Sequence, residues 1–143
     1  MVSRALILVV DDDTAVLNSL GFMLETEGFE VCAFSDIGEL LHADSIREAN
    51  CLVVDYLMPA MNGFDVLRSL RGRQITAPAI LITPRCDETL LGRAVAAGFA
   101  RVVEKPHLED ELVRAIRELT AQIGDAGGRP ADSNTEKSLG TIP

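Results

Sequence analysis

Five short apolar runs, at positions 5–10, 31–34, 51–54, 79–82 and 100–103, divide the chain, and between them apolar residues recur every three or four positions. Runs of that length read as strands, and the spacing between them as helices with one buried face. Their alternation predicts βα repeats around a parallel sheet, an α/β fold. The first, third and fourth runs are continuously apolar and are expected to be the central strands, covered by helices on both faces.

The helices follow from the intervening pattern. Val16, Leu20, Met23 and Leu24 make the inner face of the first, and Gly28 after Glu27 is its stop. Asp36 is placed to cap a short second helix carrying Ile37, Leu40 and Leu41, after which 44–50 is polar and has no clear assignment. Phe64, Leu67 and Leu70 mark a third helix, ended by Gly72 before Pro78 opens the next strand. Asp87 caps a fourth helix through Leu90, Leu91, Ala94 and Val95, closed by Gly98. In the last helix, Leu108, Leu112, Ile116, Leu119 and Ile123 form one face, with Arg114, Arg117 and Glu118 elsewhere. From Gly124 the chain is rich in glycine, proline and small polar residues. The expected organisation is one folded domain over 1–123 and a flexible tail, or a linker cut short, over 124–143.

Composition narrows the partners. A chain of 143 residues suits a single core, and none of its apolar runs is long enough to cross a bilayer. Arg4 precedes only six apolar residues before three aspartates, too few for a signal peptide, so a cytoplasmic protein is expected. Thirteen basic against 22 acidic residues give a net charge of −9, which argues against direct DNA binding. Cys32, Cys51 and Cys86 have no metal-like pairing and an odd count, which suits a reducing compartment. The first two read as packing residues; Cys86, beside Arg85 in a loop, is either an ordinary loop residue or a reactive thiol.

The residues directly after the apolar runs carry the chemistry, because ligands of open α/β sheets bind beyond the carboxyl ends of the strands. Asp11, Asp12 and Asp13 follow the first run, Asp55 the third and Thr83 the fourth, and the fifth leads to Lys105 and Pro106. Each alone has a plain reading: aspartates cap helices, and strand-end threonines and Lys-Pro pairs make turns. Three aspartates in a row exceed capping needs. Carboxylates brought together repel unless a cation neutralises them, and oxygen ligands with open water positions suit Mg2+. With Mg2+ and an ammonium beside it, Asp55 could attack phosphorus, while Thr83 offers a hydrogen bond to a phosphoryl oxygen.

The segments VVDDD at 9–13, VVDYLMPAMNGFDVL at 53–67, LIT at 81–83 and EKP at 104–106 resemble response-regulator receiver domains. The resemblance spans Leu6 to Leu119, and the spacing of Asp55, Pro59 and Gly63 is specific when the paired aspartates and Lys-Pro accompany it. It implies a doubly wound, flavodoxin-like (βα)5 fold with strand order 2-1-3-4-5. It implies Asp55 as phosphoacceptor, Asp12 as a direct and Asp11 as a water-mediated Mg2+ ligand, and the Leu57 backbone carbonyl as a further ligand. Thr83 would be the switch hydroxyl, Lys105 its ammonium partner, and the bond to Pro106 a cis peptide.

Two positions depart from the pattern. Pro84 stands where a small residue usually donates its N–H to the phosphoryl group, so that donor is missing. Val102 stands where an aromatic ring often swings inward with the threonine, and valine has no ring to swap between pockets. His107 reads as a solvent-edge residue rather than a second phosphoacceptor. The resemblance implies a switch phosphorylated by a sensor histidine kinase and read by a downstream protein or output domain, with no external substrate turned over. The charged outer face of the last helix could also pair with a second copy in a homodimer. The competing reading is an atypical receiver that serves as a phosphorylation-independent interaction module, for which Pro84 and Val102 speak. A flavodoxin-like cofactor binder is disfavoured, since no glycine-rich loop follows the first strand and Tyr56 is the only tyrosine.

Overall fold

The structure, a computed structural model, describes residues 4–58, 61–105 and 108–124. The expectations for Pro59, the bond to Pro106, His107 and the chain after Gly124 lie outside the described residues. Five parallel strands, β1 (Leu6–Val10), β2 (Glu30–Phe34), β3 (Cys51–Asp55), β4 (Ala79–Thr83) and β5 (Arg101–Glu104), form one sheet in the order β2-β1-β3-β4-β5. The expected doubly wound (βα)5 fold and strand order are therefore present. β3 and β4 are buried at every position and β1 at all but its first, whereas β2 and β5, at the edges, are only partly covered.

Side chains alternate across a strand, and here the alternation divides the core in two. Ile7, Val9, Cys51, Val53, Ile80 and Ile82 pack against helices α1 (Thr14–Thr26) and α5 (Leu108–Gly124). Leu8, Val10, Leu52, Val54, Ala79 and Leu81 face α2 (Ile37–His42), α3 (Gly63–Gly72) and α4 (Glu88–Ala97). Burial of Cys51 lifts its thiol to about 12, which leaves it a small apolar packing residue, as expected.

The helix ends obey the expected chemistry at Asp36, which accepts from the Gly38 N–H, and at Asp87, which accepts from the Leu90 N–H. Gly28 and Gly98 adopt left-handed φ values of 99° and 108° after α1 and α4, a region in which a side chain strains the backbone. Two expectations, both about helix faces, need correction. In α1, Leu17 is fully in the core, whereas Val16 and Met23 only flank it; the buried stripe is centred one residue later than the spacing implied. In α3, Val66 is buried and Phe64 only partly so; the Phe64 ring lies between Tyr56 and Phe99, with ring centroids 5.2 and 6.1 Å away, under the guanidinium of Arg93 on α4. α3 ends at Gly72, as expected, and the chain takes its left-handed residue two positions later at Gln74, φ 69°. The polar stretch after α2 contains a short 3-10 helix, Asp44–Glu48, that buries Ile46.

Candidate functional site

Strand alternation also decides which side chains meet at the carboxyl edge. Asp55 continues the parity of Cys51 and Val53, Asp11 that of Ile7 and Val9, and Lys105 that of Val103, so all three lean to the α1/α5 side. Lys105 Nζ lies 3.3 Å from Asp55 Oδ1 and 4.0 Å from Asp11 Oδ2. Asp12, one step further along the loop, is exposed and completes the cluster: carboxylate oxygens of Asp11, Asp12 and Asp55 lie within 4.8 Å of one another. Asp13 is the member of the triplet with the plain role. Its carboxylate accepts from the N–H groups of Ala15 and Val16 as the cap of α1, worth about 1 kcal/mol, while its own N–H holds Asp11 Oδ1 at 2.9 Å.

Gly63, at the start of α3, explains why the glycine of the Asp55 spacing is needed. A Cβ there would lie 2.8 Å from the Asp55 carbonyl oxygen and 2.9 Å from Leu81 Cδ1. The close approach lets the Gly63 N–H donate to Tyr56 O at 3.0 Å and fixes the turn beyond β3. Leu57 sits in that turn with its side chain 56% exposed, so burial is not what places a leucine there.

Asp11 and Asp55 are almost completely buried, at 1% and 2% exposure. Burial, then the charge of Asp11, pushes Asp55 up to about 6 against the pull of Lys105. Burial also raises Asp11, opposed by the Asp13 N–H and by Lys105. Asp11 Oδ2 and Asp55 Oδ1 have no hydrogen-bond partner among the described residues; Lys105 faces both as a charge rather than as an aligned donor. Three carboxylates against one ammonium leave two uncompensated negative charges. With two buried oxygens lacking a hydrogen-bond partner, an all-oxygen donor set and a double negative charge, the cluster fits a hard divalent cation such as Mg2+.

Thr83 is 2% exposed but has the opposite parity, on the side of α3 and α4. Its hydroxyl donates to Arg85 O at 3.0 Å and accepts from the Arg85 N–H at 3.3 Å, so it is bound to the loop beyond β4. Pro84, between the two, is exposed, and Val102 packs on the same side of the sheet. Cys86 is half-buried, and burial together with the charges of Glu104 and Asp87 pushes its thiol up, the opposite direction from that of an activated thiolate. The sequence reading passed over Glu104, whose carboxylate accepts from the Cys86 N–H at 2.7 Å. Its parity with Thr83, its register partner on β4, is the signal that could have found it.

The response regulator receiver domain family matches residues 7–117, more than three-quarters of the chain. The chain belongs to that family. This receiver is 32% identical to the transcriptional regulatory protein FixJ of Bradyrhizobium diazoefficiens over 88% of its length and 62% of FixJ. It is 36% identical to the response regulator protein TodT of Pseudomonas putida over 79% of its length and 50% of TodT. The chain thus spans about half to three-fifths of those curated relatives. Among solved structures, the chemotaxis protein CheY4 of Vibrio cholerae superposes with a TM-score of 0.75 at 22% identity, covering 82% of this receiver and 99% of CheY4. A CheY-like receiver domain of Methanospirillum hungatei does so at 0.71 and 28% identity, covering 94% and 98%. No helix among the described residues is long and apolar enough to cross a membrane.

Proposed function

We propose that this receiver is a phosphorylation-dependent switch that takes a phosphoryl group from a sensor histidine kinase onto Asp55. The observation that carries the reading is a buried aspartate, raised but still ionised at neutral pH, held 3.3 Å from an ammonium beside two further carboxylates. Asp55 attacks phosphorus as its carboxylate, forming an acyl phosphate while the phosphorus–nitrogen bond of the donor imidazole breaks and that nitrogen regains a proton. Lys105 stays protonated and balances charge on the phosphoryl oxygens. Asp11, Asp12, Asp55 and the Leu57 backbone carbonyl would hold Mg2+, which when bound supplies positive charge to the transferring phosphoryl group. Thr83 would leave Arg85 to hydrogen-bond a phosphoryl oxygen, without help from an N–H at Pro84. The receiver occupies 1–123, acts in the cytoplasm, and passes the change to a protein partner or an output domain beyond the tail.

A receiver that acts without phosphorylation is the second reading, favoured by Thr83 being bound to the loop and by Pro84 having no N–H to offer. Intact mass after incubation with magnesium and a small phosphodonor separates the two. The expected result is one added phosphoryl group, absent in Asp55→Asn and after chelation. A folded, magnesium-binding chain that gains nothing would leave only the second reading.

A further inference from the structure

The loop between β4 and α4 is tied down at two successive residues. Arg85 is bound in both directions to the Thr83 hydroxyl, and the next N–H, of Cys86, donates to Glu104 Oε2 at 2.7 Å. Glu104 is the last residue of β5, in register with Thr83 and on the same side of the sheet. The very next residue, Lys105, crosses to the other side and faces Asp55. The last residue of β5 and the one directly after it therefore hold the two halves of the site, Lys105 by an ion pair and Glu104 by a charge-assisted hydrogen bond. Pro84 makes the hold tighter, because it fixes its own φ and restricts Thr83 to extended backbone.

We infer that Glu104 is a positioning residue: it latches residues 84–87 to β5 and keeps the Thr83 hydroxyl turned to Arg85 and away from Asp55. The latch takes the place of the aromatic ring that Val102 cannot supply. Any ligand that draws Lys105 and Thr83 toward Asp55 must pull against it, so the latch lowers the apparent affinity of the site for a phosphoryl group or its mimic. The consequence for signalling rests on the phosphorylation reading above; the latch itself does not.

The test uses the full chain, with Glu104→Ala to remove the acceptor and Glu104→Gln to keep an acceptor oxygen while removing the charge. Amide hydrogen exchange of Cys86 in the unliganded protein should quicken about tenfold or more in Glu104→Ala and stay close to the parent in Glu104→Gln. Affinity for beryllofluoride with magnesium should rise several-fold, up to about tenfold, in Glu104→Ala, with Glu104→Gln close to the parent. The rescue matters because both variants lose the same charge; a purely electrostatic effect on an anion would make them alike. Equal Cys86 exchange in parent and Glu104→Ala overturns the latch, as does quickened exchange with beryllofluoride affinity unchanged or weakened. If Asp55 takes no phosphoryl group by mass, the phosphorylation reading fails, and Cys86 exchange alone decides the latch.

Discussion

Replacing Asp55 by asparagine should stabilise the metal-free protein. In an unfolded chain the Asp55 carboxyl titrates near 3.8; in the fold, burial and the Asp11 charge lift it to about 6, outweighing Lys105. Between those values the folded state keeps a proton that the unfolded state has released. Stability therefore falls as pH rises through the window, and the penalty is fully present above it. At about 1.4 kcal/mol per pH unit, the gap corresponds to about 3 kcal/mol. Asp55 is 2% exposed, so solvent screens little of this. Asparagine has nearly the same shape and no charge, and its amide can donate to the neighbouring Asp11. Urea denaturation with chelator present should show Asp55→Asn more stable by about 2–3 kcal/mol at pH 7.5, with the gain shrinking below pH 6 and gone near pH 4. Millimolar magnesium should narrow the gap by stabilising the parent. A variant no more stable than the parent at pH 7.5, or one whose gain is the same at both pH values, would refute the account of the site as self-repelling.

Three further outcomes follow from the same geometry. Gly63→Ala should cost about 1–3 kcal/mol in urea denaturation and slow phosphoryl uptake, because its methyl meets the Asp55 carbonyl oxygen at 2.8 Å and backbone cannot rotate aside. A neutral Gly72→Ala is the contrast, since nothing lies within 4 Å of that position. Thiol labelling at pH 8 should leave Cys51, buried and raised to about 12, unmodified until denaturant is added, while half-buried Cys32 and Cys86 react in the folded chain; three thiols labelled at equal rates would contradict the packing. Pro84→Ala restores a backbone N–H beside Thr83 and should lengthen the phosphoryl lifetime on Asp55, read by radiolabel decay; an unchanged lifetime would remove Pro84 from any account of retention.

The sheet was legible because its determinants are local. A strand buried on both faces is apolar at every position, and β3 and β4 are so buried; β1 departs only at Leu6. Helix faces were read less well, because apolar residues off the stripe mislead. Val16 and Met23 flank the α1 core that Leu17 enters, and Phe64 is only partly buried between Tyr56 and Phe99 while the smaller Val66 fills the interior. Capping aspartates declared themselves at positions 36 and 87, where one acidic residue precedes a helix; at 11–13 three compete, and only three-dimensional contacts assign the cap to Asp13. The end of α3 at Gly72 was legible, but the left-handed residue that follows is Gln74, a conformation that a side chain disfavours and the pattern does not signal. The strand-end residues that meet at the cluster were all visible as types. What could not be read was how Thr83 is engaged, because its partner is a main-chain group of Arg85 and carries no side-chain signature.

The division of the site by strand parity has a consequence for how such a switch can work. Asp11, Asp55 and Lys105 lie toward α1 and α5, and their charges act chiefly on one another within that group, one ammonium against two carboxylates. Thr83, Val102 and Glu104 lie toward α3 and α4, with hydrogen bonds that run to the loop and not to Asp55. A change of charge at Asp55 therefore reaches the α4 side only across the sheet edge, either by the Thr83 hydroxyl swinging over or through the main chain joining Lys105 to Glu104. In a receiver with an aromatic ring at position 102, a vacated threonine pocket could be refilled by that ring. Valine, with one restricted rotor, leaves such a pocket unfilled, and an apolar void costs lost contacts in proportion to its volume. Rearrangement of the loop is then the cheaper response, because its ties are a handful of polar contacts at a half-exposed edge, whereas the core beneath is close-packed. On the proposed phosphorylation reading, the absence of the ring would place the moving part in residues 84–87.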